Sequence, residues 1–184
     1  PLGVGSPFMR TLPLTEHGLQ WVYPKVSLAH PLDDGTAVVL QRSVAATAAT
    51  LGRDANRYYR LVAPLVRNWQ AIVDATLRPL VPPRRPFTMA RFGLRALWPA
   101  TLLARAAFRE ERTRALFAGL ASHAIMPLEK ISTAAFGFVL LMLGHAVGWP
   151  FPQGGSQKIP NAMASYLRSL GGEIQTGVRV DSLS

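Results

Sequence analysis

Cysteine is missing from all 184 residues. That excludes disulfides, thiolate nucleophiles and cysteine-ligated metals, and it fits a reducing, cytoplasmic setting. Acidic residues are scarce as well, with 10 Asp and Glu against 20 Lys and Arg and a formal net charge of +10. No internal period is visible, so a repeat architecture is not expected. No apolar run reaches the ~20 residues that a membrane span needs. The longest, Ile131 to Val147, carries His145 and is flanked by prolines and glycines, so it reads as a buried helix. The start of the chain lacks a basic region before an apolar run, so no secretory signal is read there. A hydrophobic content of 49% with 16% charge excludes a disordered chain.

Signature motifs are also lacking. There is no GxGxxG, Walker loop, HExxH or GxSxG. The histidines, His17, His30, His123 and His145, stand too far apart to form a metal pair on one helix face. Ser156, beside a double glycine, is the one weak candidate for a nucleophile; it has no assigned base, and its position suits a helix cap. Asp33 and Asp34 precede Gly35, which suits a turn better than a cation site. No residue is assigned to catalysis.

What the chain does contain is arginine, concentrated in Arg84, Arg85, Arg91, Arg95, Arg105, Arg109, Arg112 and Arg114. Such a cluster is either a solvated face or a surface for an anionic membrane or an acidic partner. Its aromatics, Phe87, Phe92, Trp98 and Phe108, have core spacing, and no zinc-finger or RRM signature accompanies them, so nucleic acid is not an expected partner.

Residues 1–40 read as extended, with Leu19 to Tyr23 and Ala37 to Leu40 rich in valine, leucine and aromatics. Asp34-Gly35 is a hairpin signal that pairs Val26–Pro31 with Thr36–Leu40. His30 lies where a strand ends, suited to lining a pocket or to a structural hydrogen bond. Ser43 caps a short helix from Val44 to Leu51, and Asp54 caps a long one with apolar positions from Tyr58 to Leu80. A kink is expected at Pro64, and Pro82-Pro83 ends the helix. Pro86 to Phe108, with a break allowed at Pro99, Glu110 to Ala124 and Pro127 to Ala146 give three more helical regions. The last is apolar on nearly all sides and therefore central.

The stretch Gly148 to Gln157 sets an aromatic pair among prolines and then places Gly154-Gly155 ahead of an amphipathic helix. That helix carries Ile159, Met163, Tyr166, Leu167 and Leu170 and stops at Gly171-Gly172. Glu173 to Leu183 reads as a strand. A glycine pair before a helix lets a ligand approach the backbone and offers unpaired N–H groups. The same residues also make a plain tight turn.

Three segments carry a resemblance: HGLQWVYPKVSLAHPLDDGTAVVL, LGRDANRYYRLVAPLV and GHAVGWPFPQGGSQKIPNAMASYLRSLGGEIQTGVRVDSL. In this order they resemble the phytoene dehydrogenase-like FAD-dependent oxidoreductases, relatives of the amine oxidases. The last segment is the most specific, and the arginine- and alanine-rich helices resemble the family only loosely. The resemblance implies an internal fragment of α+β class. Residues 1–149 would be a mainly helical substrate-domain segment, with strands in 1–40 and helices in 43–147. Residues 150–184 would be a helix–strand part of a Rossmann-like FAD domain. It further implies Gly154, Gly155 and Val180 at the cofactor, Val180 through its main chain, and His30, Trp149, Phe151 and Gln157 around a lipophilic or amine-type substrate. The chemistry implied is hydride transfer to flavin. The family's dinucleotide fingerprint is absent here, so these residues alone are expected to bind FAD poorly and to be inactive. The alternative from a different class is an arginine-rich helical module on an anionic membrane surface, without catalysis.

Overall fold

Turn chemistry positions the first elements as the sequence predicts. In the computed structural model, which describes residues 1–79 and 82–182, the hairpin joins β2 (Val26–Pro31) to β3 (Ala37–Gln41), after the short β1 (Trp21–Val22). Gly35 has φ of 79°, and the Asp34 carboxylate accepts from the Thr36 N–H at 2.9 Å and the Thr36 hydroxyl at 2.7 Å. The Ser43 hydroxyl accepts from the Ala46 N–H at 3.2 Å and opens α2 (Val44–Ala49); the short helix α1 (Leu2–Gly5) lies before β1.

The long helix does not run as expected. α3 (Ala55–Arg67) passes through Pro64, and the chain breaks at Asn68 before α4 (Trp69–Thr76). The Asn68 amide side chain donates to the Pro64 carbonyl at 2.8 Å, taking the acceptor that its own backbone N–H would use in a continuous helix. That N–H bonds instead to the Leu65 carbonyl at 3.0 Å. Leu80, expected on this helix, and Leu183, expected to end the last strand, lie outside the described residues.

The break at Pro99 does form, separating α5 (Pro86–Ala96) from α6 (Ala100–Ala107). α7 (Glu111–Ala121) and α8 (Thr133–Ala146) follow, then β4 (Phe151–Pro152) and α9 (Lys158–Ser169). The fold is thus mixed helix and strand, with two small antiparallel sheets, β1–β4 and β2–β3.

Two compact units divide the chain. One holds residues 1–10 and 23–150, the other 11–22 and 151–184. In the first, α8 is the hub. It packs on α3, α5, α6 and α7, and burial of Phe138, Leu141, Met142 and Leu143 is essentially complete. Phe138 meets Phe117 and Phe92 edge-on, and Gly137 is small because Phe117 occupies the space a Cβ would take. Among the described residues no helix is long and apolar enough to cross a membrane.

In the second unit β1 pairs with β4, and the His17 ring lies 3.0 Å from the Ser165 hydroxyl and 5.2 Å from the Tyr166 ring centre. The strand expected from Glu173 onward does not form. Residues 173–182 have no regular structure, and Val180 is 70% exposed. A strand makes no hydrogen bonds within itself, and among the described residues none pairs with this segment.

Candidate functional site

The glycine turn is built from backbone geometry. Gly154 and Gly155 have φ of 83° and 95°, a region that side chains disfavour. The Gly155 N–H donates to the Pro152 carbonyl, and the Lys158 N–H to the Gly155 carbonyl, both at 3.1 Å. The amides of Gly154, Ser156 and Gln157 donate to no acceptor among the described residues, so the entry to α9 carries exposed N–H groups. Ser156 is not the cap. Gln157 occupies that position in a helical conformation with no side-chain capping bond, so the hydroxyl of Ser156 lies one residue too early to serve. The Lys158 stem covers Gly154: a Cβ there would lie 3.1 Å from Lys158 Cε.

The other residues expected at a site fall into both units. In the second, Gln157 turns along its own helix and donates to Asn161 Oδ1 at 3.1 Å, and Phe151 is exposed in β4. Val180 lies in the irregular tail and not in a strand. Within the first unit, His30 packs its ring against Gly119 of α7, where a Cβ would overlap the imidazole. His30 Nδ1 is buried with no hydrogen-bond partner, so the expected structural hydrogen bond is not made at that nitrogen. Trp149 packs on the core beside Gly144, its ring 6.0 Å from that of His123. Thus Gly154, Gly155 and Gln157 share one turn of the second unit, while His30 and Trp149 belong to the first.

Two polar constellations escaped the sequence reading. The first is buried between α3, α8 and the exit of β3. His145 Nδ1 lies 3.1 Å from the Arg42 carbonyl, which only accepts, so Nδ1 carries the proton. Nε2 is then the acceptor for the Tyr58 hydroxyl at 2.6 Å. Arg42 returns the interaction through its guanidinium, donating to the carbonyls of His145 at 3.0 Å and Ala146 at 2.9 Å, where α8 ends. Burial lowers the His145 pKa and raises that of Tyr58 well above the phenol range, so both groups are neutral. Nearly fully buried, the pair ties α3, α8 and the exit of β3 together.

The second is Asp54. It does not cap α3. Its carboxylate accepts from the N–H of Arg109 at 2.9 Å and of Glu110 at 2.7 Å, capping α7 from more than fifty residues away. No group of His, Cys, Asp or Glu among the described residues is placed to hold a metal ion. No protein-family model, curated protein or solved structure matches this chain.

Proposed function

We propose that these residues are part of an FAD-dependent oxidoreductase of the phytoene dehydrogenase-like kind, acting on a lipophilic or amine-type substrate. The observation that carries the reading is the path of the chain. Residues 1–10 belong to the helical unit; the chain then passes through residues 11–22 of the second unit, builds the helical unit through Pro150, and rejoins the second unit at Phe151, which pairs with Val22. That return to one unit on either side of a helical stretch supports a helical substrate segment inserted into a cofactor domain.

The fit to FAD is partial. The chain has no GxGxxG fingerprint to cradle a pyrophosphate. What it offers is the Gly154-Gly155 turn, with its exposed amides and a close backbone surface. Bound flavin would supply hydride acceptance. The chain's own part would be the backbone surface at Gly154 and Gly155, with Phe151 and Gln157 of the same unit as the candidates to position substrate.

The test is a flavin spectrum of the purified full-length protein, beside one of the 184-residue chain. Stoichiometric flavin in the first and far less than stoichiometric flavin in the second is expected. A full-length protein without flavin, and without a GxGxxG between a strand and a helix, would overturn the reading.

A further inference from the structure

A groove between α3 and α5 has an unusual division of charge. One face of α3 carries Arg57 and Arg60 early and Leu61, Pro64 and Leu65 later. α5 runs through the same groove in the opposite chemical sense, from Phe87 at its start to Arg91 and Arg95 near its end. The spacings of three and four keep each set on one side of its helix. Cations therefore gather at one end and apolar side chains at the other. The cationic hollow, about 520 Å³, has Trp98 on its rim; the apolar hollow, about 250 Å³, adjoins it and shares Arg91 and Arg95.

The four arginines lack counter-charges. No carboxylate lines the cationic hollow, and none of Arg57, Arg60, Arg91 and Arg95 has an ion-pair partner among the described residues. Arg53 and Arg78, nearby in sequence, are paired, with Glu110 and Asp74. Two of the four make weak local bonds, Arg57 to the Ala107 carbonyl at 3.4 Å and Arg60 to the Asn56 carbonyl at 3.3 Å, which leave most of their N–H donors open. At the other end Phe87 is 90% exposed. Four converging cations repel one another until an anion joins them, and an exposed phenylalanine beside an apolar hollow is unfavourable until something apolar covers it.

We propose that this groove binds an anionic amphiphile. A phosphate or carboxylate head would sit among the four arginines, and an alkyl chain would lie along Leu61, Leu65 and Phe87. Neither a plain anion site nor a plain apolar patch requires both ends in one groove. The site is separate from the flavin chemistry proposed above, and neither depends on the other.

Dodecyl phosphate, kept below its micelle concentration and titrated by calorimetry, is the probe. Saturable binding is expected to the 184-residue chain, with inorganic phosphate at the same concentration giving none. Arg91→Gln with Arg95→Gln should weaken binding by about tenfold or more, because charge-assisted hydrogen bonds are lost. Phe87→Ser should weaken it by roughly fivefold through loss of apolar cover. Both variants change exposed or half-exposed side chains, so thermal unfolding should move little. The Phe87 variant decides the matter by itself if the arginine pair impairs folding. Sedimentation with vesicles of phosphatidylcholine containing phosphatidylglycerol, against pure phosphatidylcholine, identifies the source. Retention lost in the same variants assigns the ligand to a bilayer; dodecyl phosphate binding without retention assigns it to a free amphiphile. Either supports the site. Absence of saturable binding overturns it, as does binding unchanged in both variants. So does an RNA oligonucleotide that displaces the probe and is insensitive to Phe87→Ser, which would mark a simple polyanion surface.

Discussion

α8 and α9 are helices of similar length with different fates. α8 buries ten of its 14 residues, from Thr133 to His145, whereas α9 buries only Ala162 of its 12. Both have apolar side chains at helical spacing, and α9 divides them more cleanly into one face. Yet Met163, Leu167 and Leu170 stay exposed. Apolar pattern says which face would be buried. Burial itself depends on neighbours, and α8 has α1, α3, α4, α5, α6 and α7 against it.

The largest expected effect is at the centre of α8. Phe138 is 1% exposed and is held by Phe92 and Phe117. Phe138→Ala should destabilise the chain by about 3–5 kcal/mol, through lost transfer energy and a cavity that close packing cannot collapse. Urea unfolding followed by circular dichroism measures it. A loss under about 1 kcal/mol would remove α8 as the hub.

Much of this was legible in the sequence. The near-uniform apolarity of Pro127 to Ala146 predicted a central helix, which forms only from Thr133, and Asp34-Gly35 predicted the hairpin where it forms. Ser43 caps as expected because a cap acts on its own helix three residues on. Asp54 shows where such reasoning stops: its residue type is right for a cap, but the helix it serves is α7, and only tertiary structure brings them together. Asn68 breaks a helix that Pro64 was expected to bend, because a side chain competed successfully for a backbone carbonyl. The Tyr58–His145 pair left one signal. A histidine inside an apolar run must find a partner, though nothing in the sequence names it. At the glycine turn, positive φ and open amides were foreseeable from Gly154-Gly155, whereas strand formation around Val180 depends on a pairing partner that the local sequence does not specify.

That same pair gives an intermediate effect, and one with a pH signature. The His145 pKa is lowered from 6.5, chiefly by burial. Below pH 6.5 the unfolded chain therefore takes up a proton that the folded chain resists. The contribution to stability is complete above that pH, declines as pH falls toward the lowered native value, and is flat beneath it. His145→Gln should remove this part of the slope in unfolding measured across a pH series. Tyr58→Phe should cost about 1–2 kcal/mol at neutral pH, because it leaves Nε2 buried without its donor. A slope unchanged in His145→Gln would show that other groups set the pH dependence.

The smallest effect belongs to α9, and it sharpens the contrast most. Leu167 is 43% exposed, and its nearest packing is on Gly172, where a Cβ would lie 2.6 Å from Leu167 Cδ1. The bond that closes this end is the Gly172 N–H to the Leu167 carbonyl at 3.0 Å, a backbone contact to which glycine adds no apolar side chain. It is local, and the Leu167 side chain reaches no buried cluster. Leu167→Ala should therefore cost within about 0.5 kcal/mol in the 184-residue chain, since alanine also favours the helix. Phe138→Ala in α8 and Leu167→Ala in α9 would then differ in consequence by nearly an order of magnitude. A cost of about 2 kcal/mol or more, by the same urea unfolding, would mean that Leu167 is buried in solution, and the distinction between the two helices would fail.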